Sequence, residues 1–398
     1  MAKLPVPLAQ RTSIEEFIEA HLAHLVDEPG AGSPSIYGGQ RAAHLALENF
    51  CVRGYAQKRN EVFPVERRGA SKLSPYIRHG LLQLREVWEA VEGGPERDVG
   101  KFRNELMWQE YARHWYACLG EQTKSALRQE PVDLRPGGGW DRTLPCLDQV
   151  VTELETQGWI VNQTRMWLAS DWTVRNKHAW TEGEDLFFRH LLDGSRAANR
   201  LGWQWTSGVG SSKPYGFSRW QVEKRAPGLC KVCPHQKKCP LESRPTLSNF
   251  TPLPPPSPTH LFGPTSPLDH GIPKAIWLTA ESLGDHDPAL RAYPDLPAIF
   301  VFDEPLLAKL RLTRKRFVFL LETLAELAQN RSLDLRLGNP STELKGIPLA
   351  VTHAPVPGFQ KHAQRLKPVR THPWPWLCQP ATTSVRSFSA WSKKVSQP

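Results

Sequence analysis

No apolar run of about 18 uncharged residues occurs anywhere in the 398-residue sequence, which excludes a membrane-spanning helix of ordinary length. The opening stretch MAKLPVPLAQRTS likewise lacks the apolar segment of a secretory signal. A soluble, cytoplasmic chain is expected. There is no GxGxxG and no GxxxxGK[ST], so a phosphate-cradling nucleotide site in its usual form is excluded. Tyrosine is scarce, with 7 residues against 15 tryptophans. Many of those indoles fall inside helix-like periodic segments, so either the core is bulky or the chain needs indole rings for a purpose. An even complement of cysteines is also missing. Seven cysteines in a reducing compartment argue for metal rather than for structural disulfides.

What is present divides the chain by texture. From residue 14 to about 225, apolar residues recur at three and four, as in SIEEFIEAHLAHL, LDQVVTELETQGW and EDLFFRHLLDG, which predicts an all-helical unit over residues 1–244. Residues 245–273 are too rich in proline to hold regular structure and read as a semi-rigid linker. Beyond them KAIWLTA, AIFVFD, SLDLRL and IPLAVT are strand-like and RKRFVFLLETLAELAQ is helix-like, which predicts a small parallel α/β domain over 274–378. The tail, 379–398, is expected to be disordered. An excess of 50 Lys and Arg over 40 Asp and Glu gives a formal charge of +10 and suits either a polyanionic partner or solubility.

Three constellations could carry chemistry. In GASKLSPYIRHGLL, Ser74 before Pro75 predicts a capped helix start whose free N–H groups, with Lys72, Gly69 and Ala70 beside them, could hold phosphate. The plain alternative is an ordinary helix cap. Glu105, Trp108 and Gln109 share one helix face, and Asn162, Arg165, Met166 and Ala169 share another. These stripes suit either a buried polar network or a pocket for a flat, hydrogen-bonding ligand. The third is C-x2-C-x5-C at Cys230, Cys233 and Cys239, a set of thiolates for zinc or a four-iron cluster. Cys146 or His235 could complete it. Lys224, Arg225, Lys231, Lys237, Lys238 and Arg244 make its surroundings basic, as a solvated face or a nucleic-acid contact.

Taken together, SKLSPY, NELMWQEYARH, GWIVNQTRMWLAS, EGEDLFF and DGSRAANRLGWQW resemble the FAD-binding domain of the photolyase and cryptochrome family over roughly residues 40–222. The resemblance implies phosphate and ribityl contacts at Tyr55, Ala70, Ser71, Lys72, Leu73 and Ser74. It implies an Arg165–Asp193 pair over the flavin ring and the Asn199 amide facing its N5. Trp203 and Trp180 would be the first two indoles of an electron chain, with Trp140 the nearest candidate for a third. Glu105, Trp108, Asn162, Met166 and Gln109 would face a flipped-out pyrimidine dimer, with Glu105, Asn199, Trp203 and Trp180 in the catalytic roles. Gln109 and Gln163 depart from arginines of the best-known enzymes, and the histidine pair of (6-4) photolyases is absent.

The cysteine set resembles that of iron-sulfur bacterial photolyases, which implies a 4Fe-4S cluster on Cys146, Cys230, Cys233 and Cys239 in preference to zinc. The α/β domain follows the helical one, whereas the family places it first, so the chain resembles a circular permutation. No residue is assigned to an antenna chromophore. The implied activity is light-driven repair of pyrimidine dimers, cyclobutane dimers foremost, by a monomer acting on damaged DNA. A blue-light receptor of the cryptochrome kind is the alternative, and an iron-sulfur nucleic-acid binder without photochemistry a third reading.

Overall fold

The computed structural model describes residues 2–247, 249–380 and 385–396. Its first part is helical, built around the 24-residue helix Glu96–Leu119. Val99, Phe102, Leu106, Tyr111 and Trp115 are among the residues it buries, and from Glu110 to Leu119 every side chain but Arg113 is buried, as in a helix enclosed by others. Gly120, at φ 54°, ends it with a backbone that favours glycine. Helix Arg196–Ser207 packs against this long helix and against Asn162–Ser170 and Trp180–His190. The four-way packing requires Gly183: a Cβ there would lie 2.2 Å from the Trp203 ring. Among the described residues no helix is long and apolar enough to cross a membrane.

The second part is a seven-stranded sheet in the order β1-β7-β6-β5-β8-β9-β4. Its strands are β1 (Ala2–Leu4), β4 (Leu268–Asp269), β5 (Ala275–Leu278), β6 (Ala298–Asp303), β7 (Leu333–Gly338), β8 (Leu349–Thr352) and β9 (Arg370–His372). The five central strands are parallel, and β1 and β4 close the edges antiparallel. The first five residues of β6, Ala298 to Phe302, are buried, as expected of a parallel strand covered on both faces. Helix Arg314–Asn330 lies between sheet and helical part. Arg11 there donates to Glu322 at 2.9 and 2.7 Å, and Phe317 and Leu321 share one core with Ile14 and Tyr76. The fold is thus α plus parallel α/β, as the texture of the sequence predicts.

Three boundaries differ from those predictions. Residues 2–4 are not part of the helical unit: Ala2 to Leu4 pair with Leu337 to Leu335 across the sheet edge, a strand too short to leave a period in the sequence. The proline-rich segment carries β4 and also β3 (Phe250–Pro252), which pairs with β2 (Gln129–Pro131). The tail, where described, is ordered. Its helix Phe388–Ser392 starts with the Ser387 hydroxyl accepting from the Ala390 amide and buries Trp391 to 1% exposure. Trp391 Nε1 donates to His114 Nδ1 at 2.9 Å, and Tyr111 Oη donates to the Val385 carbonyl at 2.7 Å. Two apolar anchors outweigh a polar composition. Residues 381–384 and 397–398 of that prediction lie outside the described residues.

Candidate functional site

A cavity of about 1220 Å³ opens where the four helices meet and extends to the carboxyl ends of β5 and β6. Its wall contains Tyr55, Ala70, Ser71, Lys72 and Ser74 from the 55–74 segment, and Glu105, Trp108 and Gln109 from the long helix. Asn162, Arg165 and Met166 face it from the next helix, with Asp193, Asn199 and Trp203 closing the inner end. The two polar-aromatic stripes of the sequence therefore share one cavity. Leu73 and Trp180 do not line it; both are buried behind the wall.

At the inner end, Arg165 Nη2 donates to Asp193 Oδ2 at 2.8 Å while its Nε donates to the Ile160 carbonyl. Two polar atoms beside this pair, Asp193 Oδ1 and Asn199 Nδ2, are buried with no hydrogen-bond partner among the described residues. Leaving a buried acceptor and a buried donor unsatisfied costs about 1–3 kcal/mol each, so a cavity wall presenting both calls for a ligand with the complementary groups. A flavin ring, flat and edged by carbonyl oxygens and an N–H, has that complement. The residues present fit FAD.

At the wall formed by the 55–74 segment one prediction needs correction. Ser74 is the first helical residue and Leu73 occupies the cap position without a side-chain bond. The Ser74 hydroxyl instead accepts from Trp159 Nε1 at 3.1 Å. Lys72 takes a left-handed backbone, φ 58°, and its Nζ lies 5.7 Å from the centre of the Trp159 ring. A cation thus stands at this wall by way of an unusual backbone rather than by way of a hydroxyl cap.

The outer wall is more ionic than the sequence suggests. Glu105 accepts from Lys101 Nζ at 2.8 Å and from Arg59 Nε at 3.3 Å. Burial, then the charge of Glu105, push the Tyr55 hydroxyl well above its ordinary value. Gln163 turns away from the cavity and donates to Tyr215 Oη at 3.2 Å. Trp205, missed in the sequence, lines the cavity with 44% of its surface exposed. In the quoted GWQW the two indoles lie two positions apart on a helix, so one faces the core and the other the opening. The far end, with Trp277, Asp303, Phe359 and His362, was not foreseen either.

In the inner wall Trp203 is 2% exposed and meets Phe187 edge-on at 5.0 Å. Trp180, Gly183 and Phe187 share a helix face at i, i+3 and i+7, which directs Trp180 toward the same side. Trp140 sits 6.1 Å from Phe187 and 5.0 Å from Trp172. Glu184 adjoins this region. Burial pushes its carboxyl up to about 7, against the pull of Arg196 and Arg200.

Cys146 is buried on helix Pro145–Gln157, which packs against the turn Leu229–Lys231 that bears Cys230. Burial, and then the thiols of Cys230, Cys239 and Cys233, push the Cys146 thiol up to about 12. Cys146 thus lies within electrostatic reach of the other three thiols, whose soft-donor chemistry suits a metal. Among the described residues, however, no three His, Cys, Asp or Glu side chains are gathered as ligands.

Residues 102–225 match the family model described as the FAD binding domain of DNA photolyase. The deoxyribodipyrimidine photo-lyase of a Synechococcus species is 31% identical over 192 residues, 43% of this chain and 39% of that protein. The Thermus thermophilus photo-lyase is 31% identical over 209 residues, 48% of this chain and 47% of its own. A class III photolyase from Agrobacterium tumefaciens shares 26% identity over 47% of this chain and 42% of that one, with a TM-score of 0.39. A Synechocystis cryptochrome shares 20% over 55% and 48%, with a TM-score of 0.44. The chain spans less than half the length of the curated relatives it matches.

Proposed function

We propose, from the premise that residues 102–225 resemble a photolyase-type FAD-binding domain, that this chain binds FAD and uses light to split pyrimidine dimers in DNA, cyclobutane dimers foremost. One observation carries the reading. Within the matched segment, the Arg165–Asp193 pair and the partnerless Asn199 amide converge on a cavity large enough for a dinucleotide cofactor. Bound FAD supplies light-driven one-electron chemistry. The residues of the chain do the rest. Lys72, Ser71 and Ser74 hold phosphate and ribityl, and Arg165, Asp193 and Asn199 orient the ring. Trp203 and Trp180 are the indoles that pass electrons inward from solvent. Trp108, Met166 and Asn162 receive the pyrimidine dimer flipped out of DNA, and Glu105 and Gln109 hydrogen-bond to it.

The test is a spectrum of protein purified without oxygen, followed by illumination with an oligonucleotide containing one cyclobutane dimer and chromatography for restored thymines. Flavin bands with restored thymines are expected. Flavin photoreduction without restored thymines would instead favour a receptor of the cryptochrome kind, a reading that the engagement of Glu105 by Lys101 and Arg59 supports. Protein without flavin would overturn both.

The packing of helix Pro145–Gln157, which bears Cys146, against the Leu229–Lys231 turn, which bears Cys230, further supports Cys146, Cys230, Cys233 and Cys239 as the holders of a 4Fe-4S cluster. Iron and acid-labile sulfide in the anaerobic protein, lost in Cys146→Ser, would support it. Zinc in place of iron would overturn the cluster.

A further inference from the structure

The outer wall of the cavity ends in a stack of rings whose last member comes from the other end of the chain. Phe388 lies flat on one face of the Trp108 indole, with ring centroids 4.0 Å apart and planes 10° apart. Tyr111 meets both rings edge-on, 5.8 Å from each. Trp108 nevertheless keeps 37% of its surface exposed and lines the cavity, whereas Phe388 is not part of the cavity wall. An indole has two faces. One is covered by Phe388, and the other is left to the opening.

Phe388 is itself held in place. It begins the helix Phe388–Ser392, the Ser387 hydroxyl caps that helix, and Trp391 three residues on is buried against His114 of the long helix. A half-exposed tryptophan on a helix surface would otherwise populate several rotamers, and a ligand stacking on it would have to select one. A fixed ring stacked against the indole removes that choice before any ligand arrives.

We infer that Phe388 is a positioning residue: it holds the Trp108 indole in the orientation whose free face receives a ligand ring. The inference rests on the reading above, in which that ligand is a pyrimidine dimer flipped out of DNA. It makes the carboxyl-terminal segment part of the binding site.

The experiment uses the full chain loaded with FAD, in the dark, titrated by fluorescence anisotropy with an oligonucleotide bearing one cyclobutane dimer and with its undamaged twin. Phe388→Ala should weaken dimer binding about 3- to 10-fold, the worth of one aromatic pair, with undamaged binding and flavin content unchanged. Phe388→Tyr, which keeps the ring, should restore it. Combined with Trp108→Ala, Phe388→Ala should add no further loss. A stable Phe388→Ala chain that binds the dimer as well as the parent, while Trp108→Ala does not, overturns the inference and leaves the lesion-pocket reading standing. A parent that fails to discriminate dimer from undamaged DNA overturns that reading, and the inference with it. Should Phe388→Ala fail to fold, Phe388→Leu, which preserves apolar volume without a flat face, is read in its place with the same expected loss.

Discussion

At position 183 a hydrogen atom in place of a methyl group decides where an indole sits. The Cβ of an alanine would fall 2.2 Å from Trp203 Cη2 and 2.5 Å from Cζ3, and the ring, 2% exposed, has no room to retreat. Gly183→Ala should therefore cost about 1–3 kcal/mol, seen as a lower melting temperature together with slower photoreduction of bound flavin. Its neighbour Glu184 makes stability depend on pH. Its carboxyl titrates at about 7 in the fold against an ordinary 4.5, so between those values the folded chain keeps a proton that the unfolded chain has released. The stability this provides is complete below about 4.5 and is lost as pH rises through 7. Glu184→Gln should remove that slope, measured as the difference in unfolding free energy between parent and variant from pH 5 to 8. The buried His190, whose pKa burial lowers to about 4, works in the opposite sense and cancels in the difference. Single residues were partly legible. Arg165 and Asp193 are 28 positions apart in sequence and 2.8 Å apart in space, and only the family pattern linked them. Ser74 was misread because a hydroxyl before proline signals a cap equally well whether or not an indole claims the oxygen.

Helices were legible where they are amphipathic and long; short elements anchored from outside were not. Asn162–Ser170, Trp180–His190 and Arg196–Ser207 bury a face each, and their periods show it. The three residues of β1 and the five of helix Phe388–Ser392 carry no period of their own. Their order comes from partners about 330 and 280 residues away, a β7 edge and a His114 nitrogen. Trp391 is the hinge of that argument, since a short helix in isolation is not stable. Trp391→Ala should cost about 3–5 kcal/mol and free the segment from the long helix, read as a lower melting temperature and as rapid amide exchange over residues 385–396.

Across the whole molecule the formal charge of +10 sets how DNA would be met. Binding through phosphates releases counterions, so dark affinity for both damaged and undamaged oligonucleotides should fall about tenfold or more between 50 and 200 mM salt. The ratio between the two should change little, because the proposed function assigns discrimination to the cavity. A slope near zero in the same titration would exclude a phosphate-led encounter. The broad architecture was readable because helical texture gives way to strand texture near residue 274, whereas the way the sheet is completed was not. Its β1 edge comes from residues 2–4, and its partner strand begins at residue 333. At 5–20 residues per second a ribosome takes roughly 20 to 70 s to travel from one to the other. During that time β1 is made and waiting, and the edge it will cover does not yet exist.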